Sequence, residues 1–450
     1  YTLATMQGQT SWAMGTLRWA PQEVIPVVAK EMDESYQMQR VQLFRNLLLN
    51  YPYSRSDIIR QAKTDIPPVL RAQLYAAVLG VRDDAIHRIR NIDVTIETDS
   101  DRQIDLDVPR CHQYNHQMAS EEGKDLLRRC LKAWVLNNPH MHYWQGVDSL
   151  CAVLMVINVD DLPHTVASLD ALIARFLPQV FLQRNSVALK ELLHLFHQIH
   201  FYHDPELALH LHEIDFTPEL YAIPWFLTLF SYVLPLDKVV YLWDYLLPGP
   251  DTLPIFVALA ILQYFKPLLM PLDFNASIFF FTNLPPLDLN QWVMIAQDFW
   301  RNTPESLTML PTEAQSPGMP VNSAKWWEQH RPVDDRRSEL SPEISLANFL
   351  ALRDTFVILD ARSPKEYRVR RIVGAHNVPF SEELTEEALG SVVENFRNRR
   401  ILVVDSKGEA AQKLCVLLVK LRMPYVCVLK GGMDVVALET PEILIFEAHN

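Results

Sequence analysis

The sequence has no CxxC pair, no phosphate-binding glycine loop and no apolar run of membrane-spanning length, and each gap closes off a class of function. The most apolar stretches, 255–265 and 278–281, fall far short of the ~20 residues a membrane helix needs, so they read as buried core. The cysteines (Cys111, Cys130, Cys151, Cys415, Cys427) number five and mostly sit in apolar runs. That pattern excludes a disulfide framework and predicts reduced core thiols in a cytosolic protein. Neither G-x-x-x-x-G-K-[ST] nor G-x-G-x-x-G occurs, so the chain does not cradle a nucleotide through either common phosphate loop. Positive charge is in deficit: a net charge of -13 argues against a nucleic-acid surface, while leaving room for a local basic patch. The start at Tyr1 shows neither a basic n-region nor an apolar h-region, so no secretory signal is expected. It also lacks an initiator Met, and further chain is expected upstream.

What is present fits folded domains. A chain of 450 residues predicts two or three of them, and 49% hydrophobic with 21% charged residues is the balance of globular protein. Apolar residues three and four apart over 22–49 predict amphipathic helices, interrupted by Pro52, and 1–55 is read as a helical lead segment. The same period runs through 56–300, punctuated by Asn137-Asn-Pro, Asp204-Pro and Pro248-Gly-Pro-Asp, and predicts an all-α domain with its core at 66–269. Prolines then recur through 301–342, the composition of a linker, in which Trp326 and Trp327 are expected to anchor on a neighbouring domain. Beyond it, 343–450 alternates short apolar runs (355–359, 401–404, 425–429) with helical stretches (383–396, 410–421). That rhythm predicts a small α/β domain with a parallel sheet.

Other clusters read as structure. His194, His197, His200 and His203 recur every third residue, but that spacing drifts around a 3.6-residue helix and apolar residues fill the gaps, so they are assigned to the core and no metal site is expected. His212-Glu213 lacks the second His of a zinc-protease helix. Asp99, Asp101, Asp105 and Asp107 lack the Gly and terminal Glu of a calcium loop and are expected to form a solvated loop.

The sharpest signal is a pair of segments: Ile104, Asp107 and Arg110 in the pattern IxxDxxR, then Tyr143-Trp-Gln145-Gly146. In this order inside an all-α body they resemble the two motifs of the TBC family of Rab GTPase-activating proteins. The resemblance extends upstream to Pro68, Arg71 and Tyr75, the last standing where the family usually has Trp, and downstream to Tyr221, Pro224, Trp225, Trp243 and Asp244. It implies that Arg110 is an arginine finger and Gln145 a glutamine finger, delivered in trans to a Rab small GTPase. A guanidinium stabilises charge on a transferring phosphoryl group, worth ~10³ to 10⁵ in rate for arginine fingers generally. A carboxamide can hold the attacking water while donating to a phosphate oxygen. Asp107 is expected to hold the guanidinium and Tyr143 to pack beneath the glutamine loop, with Ile104 and Gly146 in support. The resemblance implies no cofactor of the chain's own, since GTP and Mg would arrive bound to the partner GTPase.

In the second domain, Asp360-Ala-Arg362-Ser-Pro-Lys-Glu366-Tyr367, Gly374-Ala375 and Gly431-Gly432 resemble the rhodanese-like family. An active member carries a Cys after the central strand; here Asp405 follows 401–404, and Arg370-Arg371 replace the usual Gly-His. Asp cannot carry a persulfide, so the module is read as non-catalytic and used for scaffolding or docking further protein partners, with Cys415 a packing residue. The expectation is therefore a cytoplasmic Rab GTPase-activating protein in membrane trafficking, peripheral to endosomal or other endomembranes and reaching them only through its partners. The alternative is a Rab-binding effector or complex scaffold without activating capacity.

Overall fold

A computed structural model of the chain describes residues 31–159, 161–182, 187–285, 288–309, 331–397 and 399–446. Most of the lead segment, and Trp326 and Trp327, lie outside the described residues. The helical half starts at Glu34–Leu48, where the Asp33 side chain caps the first turn by accepting from Tyr36 N at 2.9 Å. Its centre is built on helices too apolar to face water. Val147–Asn158 buries every residue from Val147 to Met155, and Leu253–Leu269 takes in the apolar run 255–265 and packs along Leu289–Asn302. Ser120, Asp161, Asp204, Asp273 and Asp288 cap other helices through side-chain oxygens, and the Asp204-Pro turn read in the sequence is one of these helix starts.

Far-apart segments of the helical half meet on one buried carboxylate. Asp244 accepts from Arg71 Nη2 and Nε at 2.8 and 3.1 Å and from the Tyr75 hydroxyl at 2.8 Å, and Arg71 Nη2 also reaches Glu31 at 3.0 Å. Tyr75 thus fills an apolar slot and adds a hydrogen bond at the position where Trp is usual, a reason the exchange is accommodated.

The α/β half forms a five-stranded parallel sheet in the order β1 (Glu343–Ile344), β6 (Val426–Leu429), β5 (Arg400–Val404), β2 (Phe356–Asp360), β4 (His376–Asn377). A separate antiparallel ribbon joins β3 (Arg370–Ile372) to β7 (Leu444–Phe446). β2 is buried along its whole length, as expected of a parallel sheet covered on both faces.

Two readings of the sequence change. The acidic stretch leading to Arg110 is a helix, Asp101–Asp107, rather than a loop; Asp101 pairs with Lys132 and Asp105 with Arg128, and Asp107 is buried. The described ends of the proline-rich segment are packed. Leu307, Val333, Leu340 and Ser341 are buried, Arg336 pairs with Glu191 at 2.5 Å, and Gln198 donates to the carbonyls of Glu339 and Ser341. These residues wedge between the two halves along Val187–His203, the helix that carries the histidine row. On that helix His203 hydrogen-bonds Thr303 at 2.6 Å and stands edge-on to Tyr425, while Tyr202 O accepts from Tyr425 N at 2.6 Å. The histidines thus belong to the core and the seam between halves, which holds them well below their ordinary titration range. Burial pushes His194 and His200 down to about 4 and His197 and His203 down to about 3.

Candidate functional site

Arg110 closes a short 3-10 turn, Val108–Arg110, that continues the Asp101–Asp107 helix. Ile104 and Val108 are fully buried beneath it, so the turn is fixed while the Arg110 side chain stays 64% exposed. The guanidinium folds back on its own turn, donating from Nε to Leu106 O at 2.9 Å and from Nη2 to Asp107 Oδ1 at 2.6 Å. Asp107 is the buried hub: both its oxygens receive Gln103 Nε2 at 3.0 Å, and Oδ2 receives the Tyr143 hydroxyl at 3.2 Å. Burial, and the nearby carboxylates of Asp148 and Asp107, hold the Tyr143 phenol far above its ordinary range, so it stays a donor.

Tyr143 lies two residues before Gln145, so one carboxylate ties both segments together. Gln145 itself is exposed. Its loop is pinned on both sides: His142 N donates to Phe181 O at 2.7 Å, and Trp144 meets the Phe181 ring edge-on at 6.2 Å. Gly146 is required by backbone shape, since its φ is +113° and a Cβ there would stand 2.9 Å from Thr228 Cγ2.

Sequence reasoning gave no role to Asp148, yet the structure places it at the centre of the loop junction. Its Oδ1 accepts from Gly146 N at 2.8 Å, and its carboxylate faces the buried Cys111 thiol, the residue that follows Arg110. Burial raises the Asp148 carboxyl, and burial beside that carboxylate raises the Cys111 thiol, so Cys111 is a packed donor rather than a nucleophile. The bond runs back from Asp148 to the N–H two residues before it, the reverse of the usual Asx turn, so no common sequence signal announces it. On the far side, His112 adopts φ +45° and meets the Tyr114 hydroxyl at 2.8 Å, and that hydroxyl accepts from Leu236 N at 3.0 Å.

Residues 69–270 match the family described as Rab-GTPase-TBC domain, and residues 345–439 match the rhodanese-like domain. The chain carries a TBC domain followed by a rhodanese-like domain. It is 36% identical over 454 residues to TBC domain-containing protein kinase-like protein of Homo sapiens, covering 91% of this chain and 51% of that protein. The counterpart in Dictyostelium discoideum is 32% identical over 415 residues, covering 90% of this chain and 39% of that one. The chain thus spans about half the length, or less, of these curated relatives. Among solved structures, the Ypt/Rab-GAP domain of Gyp1p superposes with a TM-score of 0.52 at 18% identity, covering 59% of this chain and 98% of that one. This likeness establishes the TBC fold.

In the rhodanese-like domain the loop after β5 is closed on itself. Asp405 is buried and accepts from the backbone N–H groups of Gly408 and Ala411, the latter at 3.1 Å, at the start of the Glu409–Lys420 helix. Its own carbonyl accepts from Met433 N at 2.8 Å, and a Cβ on Gly432 would meet that oxygen at 2.3 Å. The carboxylate therefore occupies the N–H groups that would otherwise be free to receive an anion. Cys415 is buried in the helix that follows.

Proposed function

We propose that the TBC domain accelerates GTP hydrolysis on a Rab-family GTPase, with Arg110 as the arginine finger and Gln145 as the glutamine finger. The observation that carries this reading is the shared anchor: Asp107 braces the exposed Arg110 cation directly and, through Tyr143, the loop that presents the exposed Gln145 carboxamide. Such bracing fixes where the groups stand before the partner arrives, so less ordering is required at docking. The guanidinium would exchange its Leu106 and Asp107 bonds for γ-phosphate oxygens, and the partner would bring GTP and Mg. Ile104 and Gly146 act through backbone placement.

The rhodanese-like domain serves as a docking and structural module. With Asp405 in place of a sulfur nucleophile, sulfur transfer has no acceptor there. The biological setting that follows from a Rab partner is membrane trafficking, in the cytoplasm and at the periphery of endosomes or other endomembranes.

The deciding experiment is multiple-turnover GTP hydrolysis over a panel of Rab proteins with the chain, Arg110→Ala and Gln145→Ala. Acceleration of one Rab by ~10³ or more, abolished by either substitution, is the expected result. Binding to a GTP-loaded Rab with no acceleration would overturn it in favour of an effector or scaffold.

A further inference from the structure

The β3–β7 ribbon stands apart from the parallel sheet, with Arg371 opposite Ile445 and Ile372 opposite Leu444. Side chains alternate across a ribbon, so its two faces differ. Ile372 and Leu444 are buried, whereas Ile445 and Val373, on the face opposite theirs, and Val369 just before the strand are 37, 42 and 53% exposed. Cations surround these aliphatic groups. Lys365 and Arg368 lie on the Pro364–Val369 helix that runs into β3, Arg370 and Arg371 are on the strand, and Arg353 Nη2 donates to Val373 O at 3.2 Å. The Arg371 guanidinium lies over the Tyr367 ring at 5.2 Å.

Among the described residues none of these five cations forms an ion pair with a carboxylate. Of the carboxylates near them in sequence, Asp360 is paired with Arg362 and Glu366 hydrogen-bonds Ser363, while Asp354 and Glu442 complete the acidic side. Five cations against fewer free carboxylates, in a chain of net charge -13, mark a surface fitted to an anionic partner. The outward edge of β3 is closed to an added strand, since Arg370 O accepts from Arg362 Nη2 at 2.6 Å and Ile372 O from Ala375 N at 3.1 Å. A partner therefore meets side chains and not backbone, which disfavours an extended acidic peptide.

We propose that this ribbon binds an anionic phospholipid surface directly. Guanidinium groups would engage lipid phosphate and carboxylate groups while Val369, Val373 and Ile445 enter the headgroup boundary, a combination of charge and apolar area that holds a protein at an interface without spanning it. The contact adds to any made through a partner and does not depend on the GTPase-activating reading.

The test is flotation of the whole chain with vesicles of phosphatidylcholine alone or mixed with phosphatidylserine, at low and high salt. The expected result is binding to the mixed vesicles only, weakened by salt and lowered at least about tenfold by R368E/R370E/R371E, with the triple Arg→Lys variant retaining most of it. Because Arg371 also packs on Tyr367, K365E/R368E serves as a second variant that leaves the ribbon intact, and it should lose binding in the same direction. Absence of binding to mixed vesicles, equal binding to both vesicle types, or binding unchanged by both charge reversals would overturn the proposal. Charge-dependent capture of poly-glutamate with no vesicle binding would overturn it in favour of an acidic protein segment.

Discussion

Asp107 carries three hydrogen-bonded neighbours from inside the protein, so its loss acts on both the Arg110 turn and the loop that holds Gln145. Asp107→Ala removes the acceptor of Arg110, Gln103 and the buried Tyr143 hydroxyl, and should cost about 1–3 kcal/mol of stability, read from a urea transition. The same variant should lower activation of the cognate Rab by roughly 10- to 100-fold, a loss expected when a positioned group is released rather than removed. Gly146 makes a second residue-scale prediction. Gly146→Ala combines a left-handed φ with a 2.9 Å approach to Thr228 and should destabilise by about 1–2 kcal/mol. Adding Thr228→Ala should recover only the steric part, as thermal melts of the single and double variants would show. Both residues belong to the motifs legible in the sequence, as do Ile104, Arg110, Tyr143 and Gln145, because the proposed finger chemistry requires particular side chains. Asp148 was not legible, because its work is defined by what folds against it.

At the scale of elements, the loop between β5 and the Glu409–Lys420 helix is the clearest case of local chemistry overriding family habit. Asp405 bonds the backbone at the helix start, so Asp405→Ala should cost about 1–3 kcal/mol, with helix 409–420 gaining amide exchange relative to β2. The helix Val187–His203 shows the opposite situation. Its period was readable, yet its neighbours were not: Leu340 packs with Phe201 and Val419, joining linker, helical half and α/β half. A residue of polar, proline-rich surroundings gave no sign of being core. Leu340→Ala should cost about 2–4 kcal/mol, measured in denaturant.

For the whole molecule, that seam predicts cooperative unfolding. All ten tryptophans lie at or before Trp327, so indole fluorescence arises from residues outside the rhodanese-like domain, whereas far-ultraviolet dichroism samples both domains. Coincident thermal transitions by the two probes are expected; separated transitions would show that the domains melt independently. Acid sensitivity follows from the same seam. His200 and His203 titrate at about 4 and about 3 when folded, below the ordinary value near 6.5, so the unfolded chain binds more protons below that pH. Their contribution to stability is complete above pH ~6.5 and is lost as pH falls towards ~4, by up to roughly 1.4 kcal/mol per histidine per pH unit. Urea midpoints should drop across that window, and less steeply in His200→Gln/His203→Gln.

By itself the sequence determined the helical period, the change to a parallel α/β rhythm after 343, and the two family motifs around Arg110 and Gln145, because these depend on residues close in the chain or on side-chain types that cannot be exchanged. Only the tertiary structure decided that Arg71, Tyr75 and Asp244 share one buried carboxylate, that Asp107 braces both finger loops, and that the histidine row lies along the seam between domains. It also gathered Arg353, Lys365, Arg368, Arg370 and Arg371 around one exposed ribbon within an acidic chain. Burial and partnership across tens of residues, and across more than a hundred for Arg71, Tyr75 and Asp244, are properties of packing that a local window of sequence does not display.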